Sequence, residues 1–266
     1  MFGIVGERIN TSRKKVQEAV ANKDAPCIRD EVKKQQAAGA KFIDVNAGAC
    51  IGEEMESMEW LLGVIRDVAT VPLCIDSPDP KVLEMAYGML KEAPMINSIS
   101  LERERFDTMI PFLKGRECSI VALCMDDSGM PASAPDIINR AKRLVQALED
   151  IGMNREQIYV DFLVQPVSTN TSNGLMVLDA VRGIMQEIAG VHTICGLSNI
   201  SFGLPQRKII NRTFLALMMA SGLDTAILDP LDRELMAIVR TAEMLMGKDE
   251  YCTRYLKAVR AREIQA

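Results

Sequence analysis

Asp44 and Asn46, Asp76, Asn97, Asp126, Asp161, Asn199 and Asp229 all stand at the ends of short apolar runs in this chain of 266 residues. Each could simply cap the helix that follows, because Asp and Asn satisfy the free N–H groups of a first helical turn. Asp76, Asn97, Asp161 and Asn199 fit that role poorly, since each follows directly on an apolar run and the next helical pattern starts several residues later. Carboxylates and amides gathered in one place suit either a hard cation or a heterocycle that presents N–H donors. A divalent cation would call for substrate phosphates or a dense Asp/Glu loop, and neither that loop nor a glycine-rich phosphate loop is present, so no metal is expected. The only histidine is His192. A Ser-His-Asp triad, a multi-histidine zinc site and a histidine proton relay are therefore poor readings.

The elements that must position these residues alternate regularly. GIVGERI opens the chain, and a helical pattern runs from Val16 to Ala38. Strands are then predicted at 41–46, 71–77, 94–100, 118–125, 157–163, 191–199 and 223–229. Helices are predicted between them at 53–69, 81–91, 103–114, 134–152, 175–189 and 211–221, with two more at 232–247 and 249–261. Strands alternating with helices predict a parallel sheet, and near-continuous apolar strands predict burial on both faces. Eight such units in a chain of this length predict a closed (β/α)8 TIM barrel, α/β in class, as a single domain over residues 1–266. An open doubly wound sheet is the alternative. In a parallel barrel every strand C-terminus lies at one mouth, so the polar strand ends would surround one cavity, with His192 starting a strand at the opposite end.

Composition narrows the partners. Net charge is −5 with scattered basic residues, which disfavours nucleic acid and anionic membrane surfaces. No apolar run approaches the ~18 residues of a membrane span, and no secretory leader is evident, so a cytoplasmic protein is expected. Seven cysteines without a C-x-x-C pair read as reduced thiols, several of them packed in strands as small hydrophobes. At such a mouth a pterin fits well. Its 2-amino and ring N–H donors can pair with a carboxylate in a two-pronged, charge-assisted arrangement, and its ring acceptors can pair with an asparagine amide.

The runs GERIN (6–10), DVNAG (44–48), CIDS (74–77), MINSIS (95–100), YVD (159–161), GLSNIS (196–201) and INRTF (210–214) together resemble the pterin-binding methyltransferases. The likeness is greatest to the methyltetrahydrofolate:corrinoid protein methyltransferases, and more distant to the folate domain of cobalamin-dependent methionine synthase. The resemblance extends from Gly6 to about Tyr251. It implies a methyl transfer between N5 of 5-methyltetrahydrofolate and the cobalt of a corrinoid (cobalamin) carried by a separate protein, and it implies a homodimer. By position it gives Asp76, Asn97 and Asp161 the pterin edge and Asn199 the N5 region. Gly196 and Ser198 would line the site by close backbone approach, and Arg207 would lie near the mouth, facing the corrinoid or the folate tail. Phe202-Gly203-Leu204-Pro205 departs from the acetogen enzyme's pattern, which leaves the identity of the corrinoid partner open. Two rival readings share the barrel: dihydropteroate synthase, and a non-catalytic folate-binding subunit of a methyltransferase complex.

Overall fold

The computed structural model describes residues 1–264. Its eight strands are all parallel: β1 (Gly3–Asn10), β2 (Phe42–Asn46), β3 (Leu73–Asp76), β4 (Met95–Leu101), β5 (Ser119–Asp126), β6 (Ile158–Asp161), β7 (His192–Ile194) and β8 (Thr225–Leu228). They follow one another in the order β7-β6-β5-β4-β3-β2-β1-β8. The ring closes where Ile227 N–H donates to Cys195 O at 2.9 Å, beside a single parallel bridge between Gly196 and Ile227. The outer layer consists of α1 (Lys14–Ala21), α2 (Ala25–Ala37), α3 (Glu54–Ile65), α4 (Pro80–Met89), α5 (Arg103–Leu113), α6 (Ala134–Asp150), α7 (Asn173–Glu187), α8 (Arg207–Ser221), α9 (Arg233–Leu245) and α10 (Thr253–Arg260). The expected barrel is therefore the observed one.

Alternate strand residues divide between two cores. Val5, Cys74, Met95, Val121 and Ile194 are fully buried in the barrel interior, with Phe42, Tyr159 and Ile227 packed against them. The opposite faces, such as Ile43, Ile75, Ile96 and Val160, join the larger core beneath the helices. At the N-terminal end His192 Nδ1 meets Asp224 Oδ2 at 2.7 Å, and its ring stacks on Tyr159 with 4.6 Å between centroids. The histidine thus belongs to the barrel floor, at the end opposite the mouth.

Two expected elements differ. The single helix over 16–38 is two helices, because Asp24 accepts from Cys27 N at 3.1 Å as an N-cap and Lys23 takes a left-handed φ of 53°. Pro26 in the first turn of α2 fits there because its missing N–H has no intrahelical partner to lose. The strand expected over 191–199 stops at Ile194, and the chain turns through a short 3₁₀ segment at Leu197–Ser201. Asn199 is consequently presented from a tight turn rather than from a strand end.

Candidate active site

The strand register aligns the polar residues. Asn46 pairs with Asp76, and Asp76 with Asn97, so β2, β3 and β4 present them side by side at the C-terminal rim. Asp161 stands in register with Ile194 of β7. Asn46 Nδ2 donates to Asp76 Oδ2 at 2.7 Å, while Asn46 Oδ1 accepts from Gly48 N at 2.9 Å. The asparagine is therefore fixed by its own loop and orients the neighbouring carboxylate. Arg105 braces the same rim: its guanidinium donates to the carbonyls of Ser98 (2.9 and 2.6 Å), Pro78 (2.6 Å) and Ser77 (3.1 Å). It ties together the segments that follow β3 and end β4.

Burial sets the protonation of these acids. Removal from water disfavours the charged form of a carboxyl. Burial holds Asp161 at about 7, despite the hydrogen bond that its Oδ1 accepts from Leu163 N at 2.8 Å. It also raises Asp76, against the pull of the Asn46 hydrogen bond and the Arg105 charge. Asp44, one residue pair deeper on β2, is held well above the carboxylate range by burial and then by the charge of Asp76. Its Oδ1 is enclosed without a hydrogen-bond partner. Glu7 on β1 shares the interior face of Val5; burial, then the charge of Asp229, pushes it up to about 7 against Arg13, Arg207 and Arg8. The interior near the mouth thus holds acids whose proton affinity burial has raised, Asp161 and Glu7 to about 7, placed where a donor-bearing ligand would favour their ionised forms.

The 3₁₀ turn forms the other side. Asn199 is exposed, and among the described residues its side-chain amide makes no hydrogen bond. A Cβ added at Gly196 would lie 3.2 Å from Asn199 Nδ2, so the glycine makes room for that amide. The Ser198 carbonyl accepts from Arg207 Nη2 at 2.7 Å and from Ser201 Oγ at 3.2 Å, and Arg207 Nε donates to Ser201 Oγ at 3.0 Å. Arg207, at the first turn of α8, therefore clamps the turn that carries Ser198 and Asn199. Asn97 is half-buried, and among the described residues its side chain too has no hydrogen-bond partner.

Two strand-end acids are committed elsewhere. Asp126 accepts from Ser128 N and Oγ and lies 3.3 Å from Arg140, so it closes its own loop, while Ser133 rather than Asp126 caps the helix that follows. Asp229 pairs with Arg8 at 2.7 Å and Arg13 at 3.4 Å. Sequence reasoning did not single out Glu7, Arg105, or the orienting role of Asn46. The available signal for Glu7 was a carboxylate at the period-2 position that follows Val5 along one face of an apolar strand.

Comparisons with known proteins show the family and the fold. Residues 6–229 match the family described as pterin binding enzyme. Over 263 residues the chain is 34% identical to the methylcorrinoid:tetrahydrofolate methyltransferase of Eubacterium limosum, covering 98% of this chain and 97% of that protein. It is 29% identical over 237 residues to the methionine synthase of Mycobacterium leprae, spanning 84% of this chain but only 20% of that larger enzyme. Among solved structures, a dihydropteroate synthase from Coxiella burnetii in complex with pteroic acid superposes with a TM-score of 0.69 at 12% identity, covering 91% of this chain and 94% of that one. A Stenotrophomonas maltophilia dihydropteroate synthase gives 0.69 at 16% identity, with coverage of 94% and 93%. At these identities the two structures show the fold alone.

Proposed function

Because the chain belongs to the pterin-binding enzyme family, we propose that it is a methyltransferase acting between a corrinoid protein and tetrahydrofolate, with the methyl moving from cobalt to N5. The observation that carries this reading is the likeness along 97% of a methylcorrinoid:tetrahydrofolate methyltransferase. The folate is the small-molecule substrate, and the corrinoid arrives on a partner protein that docks at the mouth.

The site suits the reaction. N5 of the reduced pterin attacks the methyl carbon, the N5–CH3 bond forms, and the Co–CH3 bond breaks with its electron pair retained by cobalt as Co(I). The proton on N5 leaves. Asp161 and Asp76 receive the donor edge of the pterin, and Asn97 pairs with a ring acceptor. Each becomes fully satisfied only when the correct ring is bound, which penalises analogues that lack a donor. The Asn199 amide meets N5, where it can accept from a protonated nitrogen or donate to a neutral one. Gly196 and Ser198 bring the backbone close to the ring, and Arg207 holds their turn in place. Catalysis then consists of positioning and of stabilising charge at N5.

The same proposal includes a homodimer. Leu175, Ile209 and Leu217, at 68%, 65% and 51% exposure, border an apolar groove of about 460 Å³ between α7 and α8, a surface suited to a second copy. A cytoplasmic location is part of it too: all seven cysteines are free, as a reducing compartment keeps them. Among the described residues no helix is long and apolar enough to cross a membrane. The test is to mix the purified protein with tetrahydrofolate and either methylcob(III)alamin or a methylated corrinoid protein. Formation of 5-methyltetrahydrofolate is expected, and no transfer in either direction with any corrinoid donor would overturn the reading.

A further inference from the structure

β4 carries an irregularity beside Asn97. Against β5, Ile96 pairs with Ile120 and Asn97 with Val121, but the next pair is Ile99 with Ala122, so Ser98 is an extra residue on the β4 side. Burial reports the same slip. Met95 faces the barrel interior, while Ile96 and Ile99, three residues apart rather than two, both join the core beneath the helices. An extra residue has no place in the ladder, bends its strand and re-aims the side chain next to it. Here that side chain is Asn97, level with Asp76 in the pairing of β3 with β4.

One side chain from outside the sheet holds this slip. Arg105 lies in the first turn of α5, half-buried. Its Nε and Nη2 donate to the Ser98 carbonyl at 2.9 and 2.6 Å, Nη1 donates to Pro78 O at 2.6 Å, and Nη2 also reaches Ser77 O at 3.1 Å. The Asn97 carbonyl accepts from Ser77 N at 3.2 Å. The residues that directly follow Asp76 and Asn97 are thus joined to one another and to a single guanidinium. Among the described residues Arg105 forms no salt bridge, and all four hydrogen bonds go to main-chain carbonyls. A rigid planar fork can fix three carbonyls at once, which the point charge of a lysine cannot.

We propose that Arg105 is a positioning residue for the pterin: its fork holds the Ser98 irregularity, and with it the spacing between the Asp76 carboxyl and the Asn97 amide, so that both meet one ring at once. The inference rests on the functional reading above. Arg105 acts through the main chain and does not touch the ligand. Asn199 stands on the other side of the mouth, where Arg207 holds its turn through separate hydrogen bonds to Ser198 and Ser201. Arg105 therefore governs affinity for the pterin and not the methyl-transfer step.

The experiment compares wild type with Arg105→Lys, which keeps the charge and loses the fork, and with Arg105→Ala, which loses both and leaves room for added guanidinium. The Kd for tetrahydrofolate is measured by calorimetric titration, and methyl transfer to cob(I)alamin is followed at saturating 5-methyltetrahydrofolate. Both variants are expected to raise Kd by about tenfold or more, as misplaced partners forfeit hydrogen bonds to the ring. The saturated rate should stay within about twofold of wild type, the mark of lost uniform binding. Guanidinium far below denaturing concentration should restore the affinity of Arg105→Ala and leave wild type unchanged. A lysine variant that binds like wild type, a saturated rate that falls as far as the affinity, or a deficit that guanidinium leaves in place would overturn the role. Should Arg105→Ala fail to fold, Arg105→Lys decides alone through the split between affinity and rate. A wild type that binds tetrahydrofolate but transfers no methyl would refute the methyl-transfer reading, with the Kd comparison still deciding on Arg105. A wild type that binds no tetrahydrofolate would refute both.

Discussion

Replacing Asp161 by Asn should make the free protein more stable while depriving it of its ligand. The carboxyl lies among apolar groups, with the fully buried thiols of Cys124 and Cys195 raised partly by its charge. Held at about 7 in the fold rather than near 3.8, it stays protonated in the native state over a pH range in which the unfolded chain has already ionised. The native state binds more protons there, so stability falls as pH rises from about 4 to about 7. The cost is complete above that range, on the order of 4 kcal/mol. Asparagine keeps an oxygen for the Leu163 N–H at 2.8 Å and has no charge to bury. At pH 8 the variant should therefore melt higher by roughly 10 °C, and at pH 4 the two proteins should melt together. Ligand affinity should move the other way, since losing charge-assisted hydrogen bonds to the pterin costs about 3 kcal/mol, or about a hundredfold in Kd. Differential scanning calorimetry at both pH values and calorimetric titration with tetrahydrofolate check the two halves. A melting difference independent of pH would refute the burial argument, and an unchanged Kd would refute the pterin contact.

Asn199→Ala should lower the methyl-transfer rate by about 2–4 kcal/mol of transition-state stabilisation with little effect on folate binding or melting, because the exposed amide has no partner in the free protein. Equal losses in rate and affinity would remove its N5 role. Gly196→Ala should displace that amide, since the new Cβ falls 3.2 Å from Nδ2; a lower kcat with near-wild-type melting is expected, and unchanged kinetics would argue against a fixed Asn199 position. At the barrel floor the hydrogen bond to Asp224 raises His192. Its contribution to stability is fully present below the ordinary histidine pKa and lost as pH rises through the elevated folded value. Asp224→Asn should abolish that slope without changing methyl transfer, as followed by urea melts across pH 5 to 9. Persistence of the slope would show that another group carries it.

The placement of the candidate site residues was readable where local chemistry and global position coincide. Asp76 and Asp161 end short strands, and Asn97, early in the longer β4, pairs in register with Asp76, so the parallel sheet brings them to one rim. Asn199 was readable as a residue but not as a geometry. The apolar run 191–195 resembles a strand continuing into GLSN, yet the turn is made by hydrogen bonds from Arg207 to Ser198 and Ser201, across a sequence gap that no local pattern reports. The break at Lys23–Asp24 was, by contrast, written locally: Asp24 followed by Pro26 is a helix-start signal that the longer amphipathic period overshadowed.

The sequence by itself determined the eightfold alternation, because strands buried on both faces must be apolar throughout and helices on one stripe. It also determined which polar residues the strand ends would carry to the mouth. Only the tertiary structure decided their charge states. Burial is a property of the assembled barrel, and it raises Asp161, Asp44 and Glu7. It alone also decided which acids are already paired, as Asp126 and Asp229 are with arginines from other elements, and which remain available to a ligand.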